Sequence, residues 1–545
     1  MLKSRGDTSL RRQSSFLSCS NMARRLPKWF ILVVVVLLLL RSSSLQPLPS
    51  PLAIRLFRTA TSTPLPNLPY SINKTISASH DLFHTLPNQS PKNNVPAVLF
   101  ELARCTRPFN KFTNHVRLPN HLYNISMSTR GGGLEARKFW NPTIFALPPW
   151  STNEYLIVTM VDCTNRGYRQ NVICEANICV PKHKAQGRDK ICTEDDLKVL
   201  GSNGGLRCAK PPVEVDLPAT PAKKCEGEQE GLADIPGFHD PRIFYTSRGE
   251  PILTVASQSR YACIGVWAID LRSIHPGLEE ILSSSPKRLG PGPVASYPGF
   301  TELTRNPPET RRSYEKNWLI FSPTPSSSYV QYELTSSQRT FAQLIGGGFT
   351  TPNLTDPTET PCLIDVSASD ISKNKYMANA TWHQATPALK VILCNRSDPS
   401  CNADTSDIVF FAAIHRKHKN HLDLPIRYER YFVIWAATPP FNMLAVSQHP
   451  MLFSNETTTG WTAEESWDDV SEAREEGRGF WAKLTYTTTI AYAWGREEGD
   501  VREMGVGFLD DEVMLSVGID DIDQVYGKVL VSDLLQCLRI CPGLI

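Results

Sequence analysis

The chain is 545 residues long, 41% apolar and 20% charged, with a formal net charge of +3. A chain of this size and composition buries one large core or two medium ones, and disorder throughout is excluded. Lys3, Arg5, Arg11, Arg12, Arg24, Arg25 and Lys28 against Asp7 place +6 on residues 1–28, leaving −3 for the rest, which excludes a nucleic-acid footprint on the body.

That basic head, residues 1–28, runs into twelve strongly apolar residues beginning at Trp29 and ending at Leu40. The length suits the apolar region of a cleaved signal peptide, whereas a bilayer span needs about 20 residues. The long basic flank, and residues 42–45 as an extension, suit an uncleaved type II anchor over 29–45 with a cytoplasmic N-terminus. We expect the anchor, in a Golgi or other secretory-pathway membrane, with secretion as the alternative. Either reading delivers the remainder to the lumen. The sequons at Asn73, Asn88, Asn124, Asn353, Asn379, Asn395 and Asn455 all lie downstream of the apolar run, as do thirteen of the fourteen cysteines.

Residues 46–98 are rich in Pro, Ser, Thr and Asn and read as an extended stem. From 99 to 545 the pattern becomes short β-branched and aromatic runs separated by Gly, Pro, Asn and Asp. The clearest are 155–161, 252–257, 263–269, 318–321, 391–394, 408–414, 431–435, 484–493, 512–517 and 525–531. No stretch keeps a helical period, so the body is all-β. Its size exceeds one ordinary sandwich, and we expect a five-bladed β-propeller with long insertions. The largest insertion, 162–236, is polar and carries Cys163, Cys174, Cys179, Cys192, Cys208 and Cys225. It is expected to be a disulfide-stapled excursion rather than packed sheet, since no histidines stand at zinc-finger spacing.

Charged and aromatic clusters sit at the ends of several predicted strands: Arg137 to Thr143, His239 to Arg242, Glu315 to Trp318, His415 to His418 with Arg427 to Tyr431, and Asp510 to Glu512. Glycosyl transfer needs a carboxyl group to protonate a leaving oxygen or deprotonate an acceptor hydroxyl. Asp240 is the first choice, with Pro241 fixing its direction and Arg242 available to a phosphate; a turn Asp with a structural Arg is the alternative. Glu315 and Asp511 are the candidates for a second carboxylate. Lys316 and Asn317 stand beside Trp318 as a pattern for sugar hydroxyls. Arg416 and Arg427, with neighbouring Tyr431, read as a phosphate clamp or as a solvated loop. Asp510, Asp511 and Glu512 are able to hold a divalent cation or a sugar, and no motif calls for another cofactor. Asp521 and Asp523 read as a turn. Nucleophile-elbow, P-loop and His-Glu-x-x-His motifs are absent.

The series Asn141-Pro-Thr-Ile, Asp240-Pro-Arg-Ile, Glu315-Lys-Asn-Trp and Asp511-Glu512 resembles the blade-by-blade signature of five-bladed propeller enzymes acting on mannosides, the β-mannoside phosphorylases and related mannosyltransferases. The layout of tail, anchor and stem resembles fungal β-1,2-mannosyltransferases. The resemblance spans residues 100–545 and departs from the phosphorylase pattern in the Cys-rich insertion and in His239 preceding Asp240. It implies mannosyl transfer from a nucleotide sugar to a glycan acceptor, with Asp240, Glu315 and Asp511 catalytic and Asn141, Arg242, Lys316, Asn317, Arg416, Arg427, Tyr431 and Glu512 binding substrate. A five-bladed glycoside hydrolase or phosphorylase, or a non-enzymatic glycan-binding propeller, are the alternatives.

Overall fold

In the computed structural model residues 91–545 form one compact unit. The structure describes residues 95–544 except 106–108, 111–114, 129–138, 164–167, 188, 221–224, 227–236, 285–291, 338, 364–380, 419–426, 457–483, 494–504 and 522. The basic tail, the apolar run 29–45 and the stem up to residue 94 therefore lie outside the described residues. Among the described residues no helix is long and apolar enough to cross a membrane.

The body is mainly β, built from successive antiparallel meanders. Phe139–Ala146, Tyr155–Cys163 and Tyr168–Cys179 pair in order and continue to Gly205–Cys208. His239–Tyr245, Pro251–Gln258, Ile264–Asp270 and Thr301–Leu303 form a second sheet, and Leu319–Thr324, Ser327–Leu334 and Arg339–Leu344 a third. Thr381–Gln384 and Leu389–Ile392 both pair with Ile408–His418, which leads through Arg427–Ala436 and Met443–Ser447 to Leu538–Ile540. Finally Thr485–Tyr492, Glu512–Ile519 and Asp523–Leu530 are completed by Leu122–Ser126, a strand from the other end of the body.

The strand Ile408–His418 shows why these runs are strands. Its apolar residues are buried on both faces, Phe411 and Ala413 facing one core and Phe410, Ala412 and Ile414 another. Such a run reads as continuously hydrophobic rather than alternating. The first strands of neighbouring meanders are tied by threonines. Thr143 Oγ1 accepts the Ile243 N–H at 3.1 Å, Thr489 Oγ1 accepts that of Ile144 at 3.4 Å, and the Thr488 hydroxyl donates to the Pro142 carbonyl. These hydroxyls satisfy buried backbone groups that no facing strand reaches.

The Cys-rich segment departs from expectation. Residues 168–176 pair with Tyr155–Cys163 and residues 176–179 with Gly205–Cys208, so these parts of the segment are packed sheet. Its polar residues misled the reading: Asn171 and Arg207 are buried there, with Arg207 ion-paired to Asp196 at 2.7 Å. Two disulfides, Cys174–Cys208 and Cys179–Cys192, stay within the segment, while Cys225 reaches out to Cys263. Cys105–Cys537, Cys362–Cys541 and Cys394–Cys401 complete six pairs among the described residues.

Candidate active site

Three residues at the start of successive meanders share an unusual backbone. Asn141, Asp240 and Asn317 have φ of 53°, 49° and 58°. The left-handed region costs an ordinary L-residue about 1–2 kcal/mol, and Asn and Asp are the non-glycine residues that tolerate it best. Asn141 and Asp240 occupy bulges, where the pairing slips between Trp140 and Thr143 and between the partners of Arg242 and His239. Pro142 and Pro241 follow them; a bulge is where a strand can hold a residue without an N–H.

These bulges border a cavity of about 260 Å³ lined by strand ends from every meander. Trp140, Arg169, His239, Tyr314, Lys316, His383, Lys417, Tyr428, Tyr486 and Asp521 form its walls around Asn141 and Asp240. The Asn141 amide donates to Asp240 Oδ1 at 2.9 Å, and Lys316 Nζ stands 3.5 Å from Oδ2. Burial alone would raise the Asp240 carboxyl, but Lys316, Arg242, His239 and the Asn141 amide hold it well below the usual carboxylate range. Lys316 is raised: burial opposes its charge and Asp240 more than compensates. Asp240 is thus a buried, ionised base.

Behind it, Arg242 fixes a chain of polar groups. Its Nη1 donates to the Asp240 carbonyl at 3.0 Å, its Nε to the Ala385 carbonyl at 2.6 Å, and its Nη2 to Asn317 Oδ1 at 2.6 Å and the Tyr486 hydroxyl at 2.8 Å. Guanidinium groups only donate, so the oxygen of the Asn317 amide faces Arg242 and its NH₂ faces His383 Nε2, 2.9 Å away. His383 Nε2 must accept, which puts the imidazole proton on Nδ1. Burial, then Lys316, Lys417 and Arg242, push its pKa down to about 3, so the ring stays neutral. Tyr428 and Tyr486 pack edge-on with ring centroids 5.2 Å apart, giving the cavity an aromatic wall, and Arg169 lies over the Trp140 ring at 5.5 Å.

Of the residues singled out in the sequence, the structure gathers Asn141, Asp240, Arg242, Lys316 and Asn317 at or just behind this cavity. It places the others elsewhere. Glu315, one residue from Lys316, faces away: Arg305 holds it at 2.7 Å, and it accepts from the Arg312 backbone at 2.9 Å and from Trp318 Nε1 at 3.1 Å. Asp511 is ion-paired to Arg396 at 3.0 Å and accepts from the Phe508 N–H, Asp510 accepts from the Arg396 and Ser397 N–H groups, and Glu512 pairs with Lys528. The three acids do not converge, and among the described residues no group of three His, Cys, Asp or Glu side chains is disposed to hold a metal. Arg416 lies 5.7 Å over Trp382, and Tyr431 is buried with its hydroxyl on Glu429 at 3.2 Å, both outside the cavity lining. The Arg427 side chain lies outside the described residues.

Sequence reasoning passed over Arg169, His383 and Tyr486. It read Asp521 as a turn residue. Asp521 is in a turn, at φ 50°, and also lines the cavity. Lys417, His239 and Tyr428 belonged to recognised clusters but were not advanced as site residues.

No protein-family model matches the chain, and no curated protein does. Sixteen chains of solved structures match. A mannose phosphorylase from Leishmania mexicana, solved with a phosphate ion, is 9% identical over 79% of this chain and 93% of its own, with a TM-score of 0.34. A beta-1,2-mannobiose phosphorylase from Listeria innocua, solved with beta-1,2-mannobiose, is 10% identical over 74% and 94%, with a TM-score of 0.31. A GH93 alpha-L-arabinofuranosidase of Fusarium graminearum, solved with arabinobiose, is 9% identical over 76% and 99%, with a TM-score of 0.27. Likenesses at these scores do not decide an activity.

Proposed function

We propose that the chain is a glycosyltransferase that moves a mannosyl or similar sugar from a phosphate-bearing donor, a nucleotide sugar, to a glycan acceptor. The observation that carries this reading is the ionised Asp240 set in one cavity with Arg169, Lys316 and Lys417 and with the aromatic walls of Trp140, Tyr428 and Tyr486. Aromatic faces beside polar groups suit sugar rings, and the cations exceed the carboxylates, which suits a bound phosphate. In this mechanism Asp240 takes the proton of the acceptor hydroxyl, the new bond forms at the anomeric carbon, and the phosphate oxygen leaves with its electron pair toward Lys316, Arg169 and Lys417. Asn141 and Lys316 orient Asp240, and Arg242 with Asn317 fixes the wall behind it.

We read the meanders as the five blades of a propeller, with Leu122–Ser126 closing the last. We also read the body as lumenal and held by a type II anchor, which the six disulfides support because such pairs persist in oxidising compartments.

The test is a product assay with the purified full chain, offering GDP-mannose or other nucleotide sugars with manno-oligosaccharide acceptors, alongside mannose 1-phosphate and acceptors alone. Extension with a nucleotide sugar, lost in Asp240→Asn, is expected. Extension from mannose 1-phosphate would assign the cavity to phosphorolysis instead, and acceptor cleavage without a donor would assign it to hydrolysis.

A further inference from the structure

The turn between Glu512–Ile519 and Asp523–Leu530 holds two consecutive aspartates in the left-handed region, Asp520 at φ 54° and Asp521 at φ 50°. They divide their work. Asp520 ties the turn to the rest of the sheet: its Oδ1 accepts the Leu484 N–H at 2.8 Å and its own N–H donates to the Leu484 carbonyl at 2.8 Å. Asp521 has no hydrogen bond or ion pair among the described residues, and it lines the cavity together with Asp240 and three cationic side chains. A turn that needed only a left-handed residue would be served by Asn or Gly; an exposed carboxyl on the border of a cationic cavity has chemistry of its own.

An ionised carboxylate repels an incoming phosphate, whereas a protonated one donates a hydrogen bond to it. We propose that Asp521 takes up a proton when a phosphate group enters the cavity and donates that proton in a hydrogen bond to a phosphate oxygen. The inference rests on the phosphate-bearing donor proposed above. The proton comes from solvent, stays on the carboxyl while the ligand is bound, and returns to solvent when it leaves; no covalent bond of the ligand changes. With Asp521 neutral, Arg169, Lys316 and Lys417 face Asp240 alone, so the wall gains one unit of positive charge toward the anion. The groups that face Asp521 are Asp240 and Asp520, which disfavour its charge, Arg169 and Lys316, which favour it, and the Tyr428 phenol. His239 also borders the cavity. Desolvation where it lines the cavity, then Asp240, raises the Asp521 carboxyl, which favours its protonated form.

The measurement is calorimetric binding of sulfate, a tetrahedral dianion with no titrating proton of its own, to the purified full chain in two buffers of different ionisation enthalpy between pH 5 and 7.5. The wild type is expected to take up a proton on binding and to lose affinity with rising pH, by up to about tenfold per unit across the Asp521 titration. Asp521→Asn keeps a residue that accepts the left-handed backbone, so the turn persists. That variant is expected to bind sulfate with less proton uptake than the wild type. Equal proton uptake in the wild type and Asp521→Asn would overturn the proposal. Failure of the folded wild type to bind sulfate at all would overturn the anion reading of the cavity itself, and the proposal with it.

Discussion

Glu315 and Lys316 are neighbours in the chain and enter opposite environments. Glu315 turns into a closed ionic knot in which Arg305 also holds Glu333 at 2.9 Å, and Glu333 in turn meets Arg312 at 2.8 Å. Lys316 turns into the cavity, where its contact with Asp240 is a longer 3.5 Å and three cations face two carboxylates. Matched charges with short contacts on every side hold a fold together, while charges left in excess beside open volume are available to a ligand. Carboxylates in the two regions should therefore fail in different ways when changed.

The largest effect expected is from Asp240→Asn, which should lower transfer per folded molecule at least about a hundredfold, the lower end for loss of a general base. Glu315→Gln should instead preserve turnover per folded molecule. It takes from Arg305 one of its two carboxylates, costing about 1–3 kcal/mol in a urea titration. If Glu315→Gln abolished turnover in folded protein, the division between the two regions would be wrong.

A smaller effect reaches the cavity through packing. A Cβ on Gly518 would lie 2.4 Å from Asn141 Oδ1, so Gly518→Ala must displace the amide that orients Asp240. Overpacking of this kind costs about 1–3 kcal/mol, and kcat should fall with it. His383→Phe removes the acceptor for Asn317 and should raise the donor KM by about fivefold, the worth of one hydrogen bond near 1 kcal/mol, with little loss of kcat.

The smallest expected effect is on pH dependence. His383 and His415 are buried and neutral, burial being the first cause in each and neighbouring cations adding to it. Their folded pKa values lie below the unfolded value of about 6.5, so the unfolded chain binds more protons. Their contribution is present above that pH and is lost as pH falls below it. Urea midpoints at pH 7.5, 6 and 5 should decline, and His383→Phe should shallow the slope. Asp240 has the same sign at lower pH: its contribution is present above the unfolded carboxylate pKa and is lost on further acidification.

The β character of the body was legible because its strands are β-branched and aromatic, and Asn141-Pro142 and Asp240-Pro241 stood out as motifs, although the bulges they occupy did not. Lys316 and Asn317 stood out as polar residues before a tryptophan. What stayed hidden was direction and partnership. The irregular segment before Leu319–Thr324 sends Glu315 and Lys316 to opposite sides, yet their proximity in sequence made both look like site residues. Arg396, more than a hundred residues from Asp511, accounts for that acid, and no local signal announces such a pairing. Tyr486 is a single aromatic on an ordinary strand, and His383 lies on a four-residue strand with no pattern around it. Asp521 satisfied a turn rule so well that its second role had no separate signature.

The pairing of Leu122–Ser126 with Asp523–Leu530, reinforced by the Cys105–Cys537 disulfide across a separation of 432 residues, has a consequence for biosynthesis. A nascent chain that has already emerged as far as Tyr486 carries Asp240, Lys316 and the aromatic wall, yet it lacks Asp521 and the strand that receives Leu122–Ser126. Its first strand must wait, unpaired along that edge, until the last sheet arrives. The cavity is therefore completed late, and a ribosome that stalls before residue 523 releases a chain with an open seam, recognisable to chaperones before it is discarded.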